Sequence, residues 1–483
     1  MRSDYTVSLV DGTGTADLAR AIRDDIRTGR LQPGQRLPGS RSLAARVQVG
    51  RSTVVRAYAE LAAEGWLEGR PGSGMVVVGP HLEDQPAPPA PARETALGFA
   101  LPAPPVHIPR EPTPLDCRYR MEGGTPDLRS LPLTDLSRAI RRVLQGRGRT
   151  VVDYGDPGGD PKLRTVLSRW LAETRGLPDD PARLIPLRGS QMGLFLLSRV
   201  LLRPGDRVAV EAYGYQPAWG ALQSAGAQLV GIPVDQDGLR VDLLPDDVRA
   251  VYLTPHHQYP TTALLSAPRR LALLAWARKH RVAVLEDDYD HEFHFGGRPV
   301  LPLAHLDRHG VVVSIGTLSK AFAPGLRLGW VHGPPPLITR LTEARRLVDR
   351  QGDHLMERAI AHLLEDGTIA RHIRRMRRTY ARRRALLYDL VADLPLHPVE
   401  TAGGLALWCR TDPCADTWSR NARTHSVFVR PGRTFRLDGR PCNHLRLGFA
   451  GLDEAELRAA IQRLTRATPS GAQGPPTPTV AGV

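Results

Sequence analysis

Several things are scarce or missing in this sequence of 483 residues. No uninterrupted apolar run approaches the ~18 residues a membrane-spanning helix needs, which excludes a span of that kind. The first residues, MRSDYTVSLVDGTG, have no apolar core ahead of a small-residue cleavage site, and a cytoplasmic protein is expected. Cysteine is nearly absent: Cys117, Cys409, Cys414 and Cys442 show neither CxxC spacing nor disulfide density, so they read as free thiols and not as a metal site. Lysine is scarcer still, with Lys162, Lys279 and Lys320 set against 62 arginines.

What is present excludes a disordered chain. Hydrophobic residues make up 41% and charged residues 24%, and a chain this long has room for two to four domains at ~100 to 200 residues each. The net charge of +15 favours polyanionic partners, nucleic acid first.

Apolar residues at Leu18, Ala19, Ile22 and Ile26 have helical spacing, with Thr15 as the expected N-cap. Leu43, Ala44 and Val47 predict a short second helix. After the Val49-Gly50 turn, Ser52 is placed to cap a third helix with Val54, Val55, Tyr58 and Leu61 on its apolar side. Residues 69–79 read as strand, glycine turn and strand, the wing of a winged helix-turn-helix occupying 1–79. Between 80 and 115 prolines crowd the chain and periodicity is lost, the mark of a semi-stiff linker. From 116 to 466 helical stretches alternate with Val/Ile/Leu-rich strands at 207–210, 227–232, 250–253, 282–285 and 311–315. That alternation predicts an α/β domain with a mostly parallel sheet. Residues 467–483, rich in Pro, Gly, Thr and Ser, read as a disordered tail.

The segment LQPGQRLPGSRSLA at 31–44, followed by VGRSTV at 49–54, resembles the winged helix-turn-helix of the GntR family of regulators. Arg51, Ser52 and Thr53 would open the recognition helix, where exposed N–H groups and short hydroxyls meet phosphates and arginine reaches a guanine edge of a double-stranded operator. Arg41 at the start of the second helix would touch the backbone, and Gly74 at the wing tip would allow close approach to the minor groove. Residues 1–80 hold 11 arginines and 8 acids, so groove contacts must outweigh bulk charge.

Lys320 directly follows an apolar strand in SIGTLSKAFAPGLRLG at 314–329. A lysine there can form a Schiff base with an aldehyde cofactor. Thr317, Ser319 and Arg327 around it suit a phosphate, which points to pyridoxal phosphate. Upstream, VLEDDYD at 284–290 ends another apolar strand. A carboxylate in this run would keep a pyridine nitrogen protonated and a tyrosine would hydrogen-bond the ring oxygen, although acids at a strand end equally suit a metal or a helix cap.

These segments resemble the fold-type I aminotransferases in the order of their landmarks, which implies a small C-terminal α+β subdomain beside the mostly parallel sheet. By that resemblance Lys320 is the Schiff-base lysine and Asp287 and Tyr289 face the cofactor ring. Gly189, Ser190 and Gln191 form the phosphate turn, and Tyr215 lies over the pyridine. Tyr259 belongs to the loop beneath the ring, Arg446 grips a substrate carboxylate, and Tyr154 reaches the cofactor phosphate of the partner subunit. A GntR-type head on an aminotransferase-like body is the arrangement of the MocR subfamily. The resemblance implies a head-to-tail, domain-swapped homodimer that senses pyridoxal phosphate itself, as where vitamin B6 supply is controlled, or a small amine or amino acid. It implies at most weak half-transamination, the alternative being a working aminotransferase with an autoregulatory head. Four positions depart from the family: Tyr213 replaces proline before Gly214-Tyr215, Pro217 replaces an effector-binding arginine, Thr262 replaces glycine, and Tyr259 replaces asparagine. They argue against an effector with an ω-carboxylate and leave an α-carboxylate free to meet Arg446. The basic run from Arg371 to Arg384 reads as a solvated helix face with Ile373, Met376 and Tyr380 behind it.

Overall fold

In the computed structural model, which describes residues 5, 7, 14–71, 74–78, 117–296 and 300–469, the chain divides into two compact units, Met1–Pro102 and Ala103–Val483. The expected boundaries at 79/80 and 115/116, the proline-rich segment between them, and all but the first three residues of the expected tail lie outside the described residues.

In the first unit the helical spacing becomes α1 (Thr15–Arg27), α2 (Ser40–Val47) and α3 (Arg51–Ala63). Leu18, Ile22, Leu43, Val54, Ala57 and Leu61 close a fully buried core between them. Two caps differ from expectation. Gly14 and Gly50 are the N-caps, in extended conformation, so Thr15 and Ser52 lie inside their helices. Val55 also leaves the expected apolar side: it is 48% exposed, and Ala57 takes its place in the core. An antiparallel hairpin, β1 (Leu67–Arg70) and β2 (Gly74–Val77), forms the wing.

The second unit is built on a seven-stranded sheet of β3 (Leu184–Leu187), β4 (Arg207–Glu211), β5 (Gln228–Ile232), β6 (Ala250–Leu253), β7 (Ala283–Asp288), β8 (Val312–Thr317) and β9 (Gly329–His332). The order is β3-β9-β8-β7-β6-β4-β5, and only β9 runs antiparallel to its neighbours. Helices cover it; α4 (Pro161–Arg175) and α5 (Ser190–Leu201) are two that shape the site. Strands buried on both faces read as continuous apolar runs, which is why their sequence signal is strong. β7 and β8 nevertheless run beyond their apolar parts to take in Glu286–Asp288 and Gly316–Thr317.

Beyond the long helix α6 (Thr368–Val391), an antiparallel sheet of β10 (Leu396–Pro398), β11 (Ala406–Thr411), β12 (Arg430–Pro431) and β13 (His444–Gly448), with α7 (Glu454–Arg466), makes the smaller subdomain. Met376 and Tyr380 are buried in its core and Arg371, Arg374 and Arg378 lie on the outer side of α6. Among the described residues no helix is long and apolar enough to cross a membrane.

Candidate functional site

Six of the seven sheet strands point the same way, and the candidate residues of the second unit gather where those strands end. Open α/β sheets bind ligands at this carboxyl edge. Lys320 stands three residues past β8, half-buried, with the backbone of Gly124 close by: a Cβ at Gly124 would lie 3.2 Å from Lys320 Nζ. Burial, and then the Arg446 charge, hold the lysine below its usual pKa, while Asp290 and Asp287 oppose them.

Asp287 lies on β7, the strand beside β8. Its Oδ2 accepts a 2.8 Å hydrogen bond from the Tyr252 hydroxyl, and its Oδ1 is buried without a partner. Burial pushes this carboxyl up to about 7, against the pull of Tyr252 and Lys320. The Tyr289 hydroxyl is likewise buried and unpartnered. Tyr259 sits among three aromatic rings, 5.8 Å from Tyr215, 6.1 Å from Tyr289 and 5.5 Å from Phe435, each nearly perpendicular to it. The Arg446 guanidinium lies 4.7 Å from the Tyr259 ring and donates to the Glu122 carbonyl at 2.7 Å. Only a glycine fits at position 123, because a Cβ there would strike that guanidinium.

The third part of the edge is built for an anion. Gly189, at φ +79°, caps α5, and the exposed N–H groups of a helix start favour negative charge. The register places Leu187 and Thr317 on either side of Gly329. A Cβ at Gly329 would lie 2.8 Å from Ser190 N, so β9 and the turn are packed backbone to backbone. Arg327 Nη2 donates to the Arg188 carbonyl at 3.2 Å, and a Cβ at Gly189 would come within 2.8 Å of it. The Thr317 hydroxyl donates to Leu328 O at 3.1 Å and accepts from Ser319 N at 3.0 Å, with Ser319 Oγ 2.9 Å away. Gln191 Nε2 donates to Pro217 O at 2.9 Å, tying this turn to the segment that carries Tyr215.

Lys320, Asp287, Tyr289, Tyr259, Tyr215, Arg446, Gly189, Ser190, Gln191, Thr317, Ser319 and Arg327 thus converge on one edge. Tyr154 does not join them: it is 74% exposed, with the Arg350 guanidinium 4.2 Å from its ring. Thr262, where the resemblance leads one to expect glycine, keeps a left-handed φ of +61° despite its β-branch, and its hydroxyl lies 3.0 Å from that of Thr401. Three supporting residues escape sequence reasoning. Tyr252 looks like a core residue of an apolar strand. Thr254 donates both its backbone N–H and its hydroxyl to Glu211 Oε2, at 3.0 and 2.7 Å, and clamps the ends of β6 and β4. Arg175, fully buried at the end of α4, pairs with Asp288 at 3.1 Å and Glu292 at 2.7 Å. An arginine among 62 gives no sign of that.

In the first unit Arg41 is the second residue of α2 and Arg51 the first of α3; both are exposed, as are Ser52 and Gly74, and Thr53 is half-buried. Gly74 begins the second wing strand at φ +78°.

The edge fits pyridoxal phosphate. Oδ1 of Asp287 is an unpaired acceptor for a pyridine N–H, Tyr289 a free hydroxyl for the ring oxygen, and the Gly189 turn with Arg327 a cradle for phosphate. Fold and edge together define a winged helix-turn-helix joined to a body of the pyridoxal-phosphate aminotransferase class. Residues 15–77 match the bacterial regulatory proteins of the gntR family and residues 123–464 match aminotransferase class I and II. The chain is 32% identical over 469 residues to the probable rhizopine catabolism regulatory protein MocR of Rhizobium meliloti, covering 93% of this chain and 92% of that one. It is 30% identical over 457 residues to the HTH-type pyridoxine biosynthesis transcriptional regulator PdxR of Corynebacterium glutamicum, covering 94% and 96%. Among solved structures it resembles LysN, the alpha-aminoadipate aminotransferase of Thermus thermophilus complexed with N-(5'-phosphopyridoxyl)-L-leucine. The TM-score is 0.67 at 27% identity, over 72% of this chain and 91% of that one. The chain belongs to the MocR-type regulators of the GntR family, DNA-binding transcription regulators with an aminotransferase class I/II domain, and its cofactor is pyridoxal phosphate.

Proposed function

We propose that this regulator senses pyridoxal phosphate, or a small amine that exchanges with it, through Lys320, and converts occupancy of the body into a change in operator binding by the head. When bound, the cofactor supplies an aldehyde that condenses with an amine and a ring that draws electrons from it. The residues would divide the work of holding it. Lys320, held below its usual pKa by burial and the Arg446 charge, offers the amine. Asp287 Oδ1 accepts the pyridine N–H, Tyr289 meets the ring oxygen, and Tyr215 and Tyr259 flank the ring. The phosphate rests on Gly189, Ser190 and Gln191 at the start of α5, with Thr317, Ser319 and Arg327. Arg446, 1% exposed, is placed to fork a substrate or effector α-carboxylate. The exposed Tyr154, away from its own chain's edge, supports a homodimer in which it reaches the partner's cofactor. Arg41, Arg51, Ser52, Thr53 and Gly74 would contact the operator, in the cytoplasm. The role in pyridoxine biosynthesis that the Corynebacterium relative is named for supports target genes of vitamin B6 metabolism.

The observation that carries this reading is the placement of Lys320 just past one strand and within electrostatic reach of an unpaired buried carboxylate oxygen on the neighbouring strand, in a chain that also bears a DNA-binding head. Fluorescence anisotropy of the full-length protein on DNA upstream of its own gene, with and without pyridoxal phosphate, tests it. The dissociation constant should change about fivefold or more, the usual scale of coupling between sites. Lys320→Ala should lose both that response and the visible absorption of the bound cofactor. An affinity indifferent to pyridoxal phosphate, or a response kept by Lys320→Ala, would refute it. Continuous turnover of an amino acid with a keto acid would instead favour a working aminotransferase.

A further inference from the structure

Two loops leaving the carboxyl edge bring four imidazoles together in the interior. His256 and His257 follow β6, and His291 and His294 follow β7. Their exposures are 2%, 2%, 6% and 4%. The His256 ring lies 4.4 Å from His257, 4.5 Å from His291 and 5.7 Å from His294, and His257 stacks on His294 at 5.8 Å with 15° between their planes. Both nitrogens of His256, Nε2 of His257 and Nδ1 of His294 have no hydrogen-bond partner. Each buried polar atom left unmet costs about 1–3 kcal/mol, and four of them in one place mark a site with something still to bind.

The chemistry of the group identifies what that is. One ring nitrogen from each of His256, His257 and His294 lies within 4.8 Å of the others. Zinc–nitrogen bonds of about 2.0–2.1 Å in a tetrahedron put ligand atoms ~3.4 Å apart, so the nitrogens need to close in by at most ~1.4 Å. The opposite nitrogen of His257, Nδ1, is 2.8 Å from Asp290 Oδ1. Such a carboxylate fixes the tautomer and leaves the lone pair on Nε2, as metal-ligating histidines usually require. Position 403 is glycine, and a Cβ there would overlap the His257 ring. An overlapping trio of His256, Asp288 and His291 shares His256, but there the Asp288 charge is already met by Arg175 at 3.1 Å and lies 3.2 Å from His291 Nδ1. Neutral imidazoles without a bound carboxylate suit zinc and its neighbours, not magnesium or calcium.

We propose that His256, His257 and His294 bind one divalent cation of the zinc class, with Asp290 orienting His257 from behind and a fourth position left open. The residues of this site are distinct from those assigned to pyridoxal phosphate, although they share its two loops, and the proposal stands whether or not that reading holds.

The test uses the full-length protein, stripped with a chelator and then titrated with Co2+, with and without pyridoxal phosphate. The expected result is one cobalt per chain, with the intense visible bands of low-coordinate cobalt, and displacement by Zn2+. X-ray absorption of the zinc-loaded protein should count three imidazoles. His294→Gln should weaken zinc binding about tenfold or more while its circular dichroism and metal-free melting match the parent. The proposal is overturned if the parent takes up no cobalt at millimolar metal, if fewer than three imidazoles surround zinc, or if His294→Gln binds zinc as tightly as the parent. Should His294→Gln fail to fold, the imidazole count on the parent protein decides.

Discussion

Replacing Asp287 by asparagine separates its charge from everything else at the edge. Its carboxyl is pushed up to about 7, first by burial and then by the charges of Asp288 and Asp290, whereas an unfolded aspartate titrates near ~3.9. The folded chain therefore holds this proton more tightly than the unfolded chain does. The resulting stability is complete below about pH 4 and is lost as pH rises through about 7. Each pH unit between those values removes about 1.4 kcal/mol, so moving from about pH 5 to pH 8 should cost about 3 kcal/mol at this residue. Asp287→Asn has no proton to lose and escapes that cost. Glu286, also pushed up to about 7 by burial, is common to both proteins and cancels in the difference; Glu211, likewise raised chiefly by burial, loses only the last and smallest of its upward pushes, that of the Asp287 charge.

Urea unfolding of the two proteins without cofactor reads this directly. Six of the seven tryptophans lie in the body, so tryptophan fluorescence follows the unit that holds Asp287. Stability relative to the parent should shift by about 3 kcal/mol in favour of Asp287→Asn between about pH 5 and pH 8. Saturating pyridoxal phosphate should shrink that shift, because a cation opposite Oδ1 offsets the ionisation penalty. Parallel pH curves for the two proteins would refute the argument.

Two further substitutions probe the edge from other sides. Gly189→Ala places a side chain at φ +79° and 2.8 Å from Arg327 Nη2; strain of about 1–3 kcal/mol should raise the pyridoxal phosphate dissociation constant about tenfold or more, read by fluorescence quenching, and an unchanged constant would remove the phosphate cradle. Arg175→Met strands Asp288 and Glu292 in the interior and should destabilise the body by about 3–5 kcal/mol in urea, whereas a loss below about 1 kcal/mol would mean that the two acids are paired well enough without it.

Much of this architecture was legible, and the misses share a physical cause. The apolar runs of β6, β7 and β8 announce themselves because both faces of a parallel sheet are covered. Their polar ends do not, because the partners that satisfy Glu286, Asp287, Asp288 and Thr317 lie outside the strands that carry these residues. Leu303 N and Ala304 N donate to Glu286 at 2.6 and 3.0 Å, Tyr252 to Asp287, Arg175 to Asp288, and Ser319 N to Thr317. β9, with glycine and histidine at its ends, lacks a clear apolar run and does not stand out in the sequence. In the head, preference for a hydroxyl cap pointed to Thr15 and Ser52, but Gly14 and Gly50 take the extended cap conformation instead, at φ −81° and −64°. Each helix therefore begins one or two residues earlier than the hydroxyl rule suggests, and Arg51 opens the recognition helix itself.

Three adjacent acids in a strand are chemically equivalent in sequence and become distinct only through their partners. Glu286 is pushed up by burial, but two backbone N–H groups occupy its two oxygens, leaving it nothing to offer a ligand. Asp288, also fully buried, is held far below the usual carboxylate range by His291 and Arg175, so it stays charged and committed to them. Asp287, balanced near neutrality like Glu286, differs from it in having one oxygen taken by Tyr252 and the other unpaired, with Lys320 as its cationic neighbour. A carboxyl that is costly to ionise and has one free lone pair gains most from an incoming cation, because the ligand removes a penalty already present in the fold. Alternation of side chains along a strand supplies the geometric half of the choice: Asp287 faces opposite to both Glu286 and Asp288, toward the side on which Tyr252 stands. On the proposed reading, a ring nitrogen that must stay protonated would find its partner at the middle acid.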